Sequence, residues 1–285
     1  MSELLSAKGV VPKKRFGQNF LVDARVADKA AAAANLSKSD NVLEIGPGLG
    51  GLTEKLAQEA GSVVAIEIDR DLASLLETSF KPVENVQIIC ADILKTDLRA
   101  LMEEKGWKTC KAVANLPYYI TTPIIMMLLE SRLPIESITI MVQKEVAYRL
   151  GAKPGTKDYG SLTVTVSYFS DPSIDAIVPS NCFHPRPNVD SAIVTLKLRP
   201  CPYSIDSEDL LFQVTRAAFG HRRKTLANCL SAADPTLPKS EIEALLTTLG
   251  LGAQVRGEAL SLEEFVTLSN ALGKAIEAKK APNGA

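Results

Sequence analysis

Apolar positions along the chain fall into two periods. Short apolar runs of strand length occur at Val42–Ile45, Val63–Ile68, Val86–Cys90, Ala112–Ala114 and Ser137–Val142. Helical patterns separate them at Gly51–Ala60, Asp71–Phe80, Leu98–Lys105 and from Thr122 to about Ser131. Strands alternating with helices predict a parallel sheet covered on both faces. An earlier helix is expected over Ala24–Leu36, favoured by the alanine run from Ala30 to Ala34 and opened by Asp23 as N-cap. Thr122 is expected to cap the helix that carries Pro123 in its first turn. Ser173–Val178 and Ala192–Leu198 read as further strands, with a proline-stiffened loop at 181–191 between them. Residues 160–170 are ambiguous, because Leu162, Val164 and Val166 alternate as a strand would. Beyond Arg199-Pro200-Cys201-Pro202 the pattern is helical, at Leu210–Phe219, Arg223–Ala232, Lys239–Leu249 and Leu262–Leu272. Ser240…Glu243 and Ser261…Glu264 resemble capping boxes. This divides the chain into a sheet-bearing domain, 1–199, and a small helical domain, 200–285. Residues 1–12 and the tail from Lys279 are expected to be loosely attached.

The stretch Val42-Leu43-Glu44-Ile45-Gly46-Pro47-Gly48-Leu49-Gly50-Gly51 joins the first strand of the sheet to a helix. Glycines at such a turn supply positive φ and admit a ligand close to the main chain. Gly46, Gly48 and Gly51 fit the dinucleotide pattern G-x-G-x-x-G. Gly46, Gly48 and Gly50 after the acidic Glu44 instead suit S-adenosylmethionine. Glu67 ends the next strand, where an acid binds ribose hydroxyls. Such a fingerprint alone can be a mere structural turn; the strand before it, the helix after it and the acid downstream favour a nucleoside ligand. Glu44, Glu67, Asp92 and Asn115 all stand at or beside strand ends, the edge where such sheets bind ligands.

Composition narrows the class. The chain has 285 residues, 46% of them hydrophobic, but no apolar run long enough to cross a bilayer. Its first twenty residues lack a signal-peptide core. The five cysteines are scattered without a C-x-x-C pair, which disfavours a zinc or disulfide framework. A cytoplasmic, membrane-free protein is expected. The net charge is −1, so composition alone does not announce a polyanion partner. Its distribution does more: Lys13-Lys14-Arg15 forms one basic cluster, and Arg216, Arg222, Arg223 and Lys224 occur in a stretch without acids. Two such clusters suit the flanks of a nucleic-acid groove, or are two solvated faces.

Asn115-Leu116-Pro117-Tyr118 follows the fourth strand of the sheet. An adenine N6 amine is a poor nucleophile because its lone pair is delocalised. Two acceptors for its hydrogens, the Asn115 side chain and the Leu116 carbonyl, favour pyramidalisation, and an aromatic wall at Tyr118 holds the base. Orientation then carries most of the catalysis. An ordinary strand-to-helix turn would use similar residues.

Taken together, Arg15-Phe16-Gly17-Gln18-Asn19-Phe20-Leu21, Glu44–Gly50, Glu67-Ile68-Asp69, Ala91-Asp92, Asn115–Tyr118, Phe183–Ser191 and Arg222-Arg223-Lys224 resemble the ribosomal RNA adenine N6-dimethyltransferase family, in order, from residue 13 to about 230. The resemblance implies a Rossmann-like α/β methyltransferase with a small all-α C-terminal domain, and S-adenosylmethionine as cofactor. It implies cofactor contacts at Asn19, Leu21, Gly46, Gly48, Glu67, Asp92 and Asn115. Catalysis would fall to Asn115 and Leu116, with Tyr118 and Phe183 sandwiching a flipped-out adenine. For Tyr118 the ring, and not the hydroxyl, is the part this role uses. RNA phosphates would meet Lys13, Lys14, Arg15, Arg222, Arg223 and Lys224. The family substrate is a pair of adjacent adenosines in a hairpin loop near the 3′ end of small-subunit rRNA, on a pre-30S particle, with a role in small-subunit biogenesis. A monomer is expected. The family also implies a helix over Tyr159–Phe169, against the alternation. His184 and His221 read as surface or RNA-side residues, since two histidines without cysteine partners make a poor zinc site. The alternatives are a 23S rRNA adenine methyltransferase, a non-catalytic assembly or nucleic-acid-binding factor on the same fold, and an NAD-dependent enzyme, which Asn-Leu-Pro-Tyr does not suit.

Overall fold

The structure, a computed structural model, describes residues 13, 17–221, 223–234 and 236–280. The segments 1–12 and 281–285, expected to be loose, lie outside the described residues apart from Lys279 and Lys280, which end a helix.

Nine strands form among the described residues: β1 Phe20–Leu21, β2 Asn41–Ile45, β3 Ser62–Glu67, β4 Val86–Cys90, β5 Cys110–Asn115, β6 Ile135–Gln143, β7 Ser170–Val178, β8 Phe183–His184 and β9 Ser191–Leu198. Seven of them make one sheet in the order β4-β3-β2-β5-β6-β9-β7. The pairs from β4 through β6 are parallel, and β6 pairs antiparallel with β9. The chain moves outward from β2 to β3 and β4, then returns to lay β5 on the other side of β2. That reversal opens a crevice at the carboxyl edge between β2 and β5. Register makes the edge level: Ile45 pairs with both Ile66 and Ala114, and Glu67 with Cys90.

Helix α1 (Ala24–Ala33) is capped by Asp23, whose carboxylate accepts from Arg25 N. It stops short of Leu36 because Asn35 takes a left-handed φ of 46°. Its small residues Ala27, Ala30 and Ala31 pack in one cluster with Val42, Leu56, Val63, Val113 and Ile193. Central-strand residues Val42 and Ile193 are fully buried, each worth roughly 1.5–3 kcal/mol relative to exposure. Helices α2 (Gly51–Glu59), α3 (Arg70–Phe80), α4 (Leu98–Glu104) and α5 (Thr121–Glu130) link the strands, and α6 (Lys144–Leu150), not expected from the sequence, follows β6. Thr122 is not the cap of α5; Ile120 occupies that position and no side chain bonds the first turn.

Residues 1–147 with 171–199 form one compact unit, and 148–170 with 200–285 form another. The expected boundary at 199/200 is one crossing point, but 148–170 group with the C-terminal helices and not with the sheet. Helix α7 (Ser161–Phe169) explains why: it packs against α8 (Glu208–Gly220) and α11 (Leu262–Lys280). Leu162, Thr163, Val164, Thr165, Val166, Tyr168 and Phe169 are all buried, so apolar alternation carries no facial information there. Thr163 Oγ1 accepts from Gly160 N (3.2 Å) and donates to the Arg149 carbonyl (2.6 Å), holding the helix start. Burial on every side overrides the β-branched preference. In the same unit Tyr168, Phe169 and Phe212 cluster, and the buried Tyr159 hydroxyl donates to the Leu260 carbonyl at 2.7 Å. Helix α9 (Leu226–Ala233) starts three residues later than expected, capped by Thr225. Of the two capping boxes, Ser261–Glu264 forms reciprocally, at 2.7 and 3.3 Å. The other does not, since α10 (Lys239–Thr248) begins directly after Pro238 with no side-chain cap.

Candidate active site

The glycine turn closes on itself through Gly50 N to the Pro47 carbonyl (2.9 Å), and Gly46 N reaches the Ile66 carbonyl (3.0 Å). Gly46 and Gly48 have φ of 69° and 59°, and both line a crevice at the carboxyl edge of the sheet. A Cβ on Gly48 would stand 3.3 Å from the Phe20 ring. Gly50 (φ 82°) has no such room at all: a Cβ would fall 2.7 Å from Phe80 and 2.8 Å from Leu76.

Glu67 is 4% exposed, and each carboxylate oxygen takes one main-chain donor: Oε2 from Gly48 N (3.2 Å) and Oε1 from Asp69 N (2.9 Å). Burial pushes its pKa above the ordinary carboxylate value, against the pull of the Asp69 and Gly48 amides. One lone pair remains on each oxygen, which is what a ribose diol requires. Asp92 caps a short 3-10 turn, Ile93–Lys95, accepting from Leu94 N, and lines the same crevice.

The N-terminal segment crosses this crevice. Gln18, Asn19 and Phe20 form part of its wall. Lys13 Nζ pairs with Asp69 and Asp71, both at 2.6 Å, and Gln18 bonds Lys13 N and Asp69. Burial opposes ionisation of Asp69, but Lys13 and the Asp71 and Gln18 donors prevail and lower its pKa. Lys13, expected at RNA phosphate, is thus held by two carboxylates. Leu21, expected at the cofactor, does not line the crevice; it packs on the core cluster that also holds Phe183. Strand β1 pairs antiparallel with β8, Phe20 with His184 and Leu21 with Phe183. That pairing brings Phe183 from far down the chain into the crevice wall.

On the other side stand Asn115, Leu116 and Tyr118, all lining the crevice. The Pro117 carbonyl is taken by Ile120 N (3.1 Å) and Thr121 Oγ1 (3.2 Å). Among the described residues no donor engages the Asn115 side-chain oxygen or the Leu116 carbonyl. Two acceptors are thus held ready on a rigid turn. The Tyr118 hydroxyl is 2.9 Å from Ser191 Oγ, a contact the sequence did not suggest.

Glu44 is the exception among the strand-end polar residues. It is 1% exposed, does not line the crevice, and neither oxygen meets hydrogen-bond geometry with a described residue. Burial pushes its pKa up to about 8; the Thr53 hydroxyl nearby offsets part of this, and the Glu67 charge adds to it.

Of the second basic cluster, Arg223 and Lys224 are exposed at the start of α9. Leu226 N bonds the Val255 carbonyl (2.8 Å), so the turn bearing exposed Arg256 abuts them. No sequence pattern singled out Arg256. Lys14, Arg15 and Arg222 lie outside the described residues. Among the described residues no group of three His, Cys, Asp or Glu side chains is arranged to hold a metal ion.

A glycine turn at the switch point with acids at the ends of the next two strands is the adenosyl-binding arrangement of α/β methyltransferases, and here the Asn-Leu-Pro-Tyr turn lines the same crevice. The chain belongs to the ribosomal RNA adenine dimethylase family, whose model matches residues 11–274. It is 49% identical over 279 residues to ribosomal RNA small subunit methyltransferase A of Lachnoclostridium phytofermentans, covering 96% of each chain. A dimethyladenosine transferase structure from Plasmodium falciparum superposes with a TM-score of 0.73 at 27% identity, covering 92% of this chain and 98% of that one. The 23S rRNA methyltransferase ErmE matches with a TM-score of 0.68 at 28% identity, covering 90% and 100%. The protein is therefore an S-adenosylmethionine-dependent rRNA adenine dimethyltransferase.

Proposed function

We propose that the protein dimethylates N6 of two adjacent adenosines in a hairpin loop near the 3′ end of small-subunit rRNA, acting as a cytoplasmic monomer on a pre-30S particle during subunit biogenesis. The relative named for the small subunit, at 49% identity, supports this over a 23S target, whose relative stands at 28%. No helix among the described residues is long and apolar enough to cross a membrane. The observation that carries the reading is the pair of uncommitted acceptors, the Asn115 carboxamide and Leu116 carbonyl, on the crevice that Glu67 and Asp92 also line.

In this reading Glu67 holds the ribose hydroxyls, Asp92 the adenine amino group, and Gly46, Gly48 and Asn19 flank the methionine portion. S-adenosylmethionine supplies an electrophilic methyl on a sulfonium. Asn115 and Leu116 accept the two amine hydrogens, so the nitrogen lone pair turns out of conjugation. Tyr118 and Phe183 grip the flipped base. No strong general base is needed, because the alkylated amine is acidic enough to lose its proton to a nearby carbonyl or water. The sheet unit carries the chemistry. Arg223, Lys224 and Arg256 in the helical unit meet phosphates, together with Arg222, Lys14 and Arg15.

Primer-extension mapping of adenine dimethylation on undermethylated small subunits tests this. The wild type should mark both adenosines, and Asn115→Ala should lower kcat by about a hundredfold while particle binding changes little, because its bond strengthens as the nitrogen pyramidalises. Methylation of large-subunit RNA instead, or an Asn115→Ala enzyme at the wild-type rate, would refute the proposal.

A further inference from the structure

The Tyr118 ring and Phe183 face one crevice but come from separate parts of the chain. Phe183 belongs to the loop 179–190, which is braced at several points. Asp190 Oδ1 accepts from Ser180 N (3.0 Å), Arg186 Nε donates to Ser180 Oγ (3.0 Å), and the Asp190 carbonyl accepts from Lys144 N (3.0 Å). Ser191 follows at once, fully buried, and is fixed in the sheet opposite Gln143. Its hydroxyl lies 2.9 Å from the Tyr118 hydroxyl. We infer that Ser191 is a positioning residue for methyl transfer: its bond to Tyr118 ties the far end of that ring to the segment that carries Phe183, setting the gap between the two walls that grip the target base.

This rests on the stacking roles given above to Tyr118 and Phe183, and it adds a part for the Tyr118 hydroxyl that stacking alone leaves idle. Stacking depends on the spacing of the faces as well as on their area. The tyrosine oxygen lies on the axis of the second side-chain torsion, so a bond at the tip fixes the first torsion and with it where the ring stands in the crevice. Removing the bond from either end should therefore have one and the same consequence.

The experiment is a cycle of Ser191→Ala, Tyr118→Phe and the double variant in the full chain. kcat and KM would be measured on undermethylated small subunits, with S-adenosylhomocysteine affinity by calorimetry. Each single variant should lower kcat by about fivefold, the scale of one hydrogen bond. S-adenosylhomocysteine affinity should hold, because the bond touches no cofactor contact. The double variant should lose no more than the worse single one, since both remove the same bond and the pair leaves no buried hydroxyl unmatched. A merely structural role would lower melting temperature without this shared kcat loss at temperatures far below melting. Tyr118→Ala, assayed alongside, tests the stacking roles on their own. If Tyr118→Ala is impaired but Ser191→Ala or Tyr118→Phe turns over at the wild-type rate, or the two losses multiply in the double variant, the positioning role is wrong. If Tyr118→Ala is itself unimpaired, the underlying assignment fails instead.

Discussion

Glu67 offers the sharpest quantitative test of the cofactor site. Its two oxygens each spend one lone pair on a main-chain N–H, Gly48 at 3.2 Å and Asp69 at 2.9 Å, and keep one for a ligand. Glu67→Ala removes two charge-assisted bonds to the ribose, each worth roughly 1.5–3 kcal/mol, so affinity should fall by at least about a hundredfold. It also strands the Gly48 and Asp69 amides, at about 1–3 kcal/mol for each that water does not reach, so the free protein should melt lower. Glu67→Gln keeps the volume but turns one amino group toward an N–H whichever way the amide is placed. It should fall between wild type and alanine. The ionised carboxylate is the binding form and burial raises its pKa, so wild-type affinity should weaken as pH falls toward that raised value, while Glu67→Gln stays flat. Titration calorimetry with S-adenosylhomocysteine measures the affinities, and thermal melts without ligand separate the stability loss. At saturating cofactor Glu67→Ala should recover much of its kcat, because Glu67 does not touch the target base. Affinity within about threefold of wild type in Glu67→Ala, a free-energy change below 1 kcal/mol, would refute the ribose role.

Two further outcomes are expected. Glu44, pushed up to about 8 by burial, is protonated in the fold near neutral pH, so its contribution to stability is full below the unfolded value of 4.5 and is lost as pH rises through about 8. Glu44→Gln should therefore overtake the wild type in melting temperature toward pH 9, with an upper bound of about 5 kcal/mol, and parallel pH profiles would contradict this. Neutralising Arg223, Lys224 and Arg256 should weaken pre-30S binding and flatten its salt dependence by a log–log slope of about one per lost phosphate contact; an unchanged slope returns them to a solvated face.

Local signals carried much of this protein in its sequence. The βα alternation was legible because strand and helix periods differ. The glycine turn was legible because Gly46, Gly48 and Gly50 all sit at positive φ, a conformation other residues resist. Glu67, Asp92 and Asn115 could be placed because they lie at or just past the ends of their own strands. What needed the tertiary structure was every relation between distant segments. Pairing of β1 with β8 brings Phe183 beside Leu21, and of the two it is Phe183 that lines the crevice. Lys13 reads as a free cation along the chain, yet folding lays it between Asp69 and Asp71. Residues 161–169 show a strand's alternation, but neighbours on every side remove its meaning and α7 forms. Arg256 and the Ser191–Tyr118 bond left no mark at all, because partners 29 or 73 residues apart meet only after sheet order and helix packing are decided. Local sequence sets backbone conformation; which side chains then share a cavity depends on topology, and topology is a property of the whole chain.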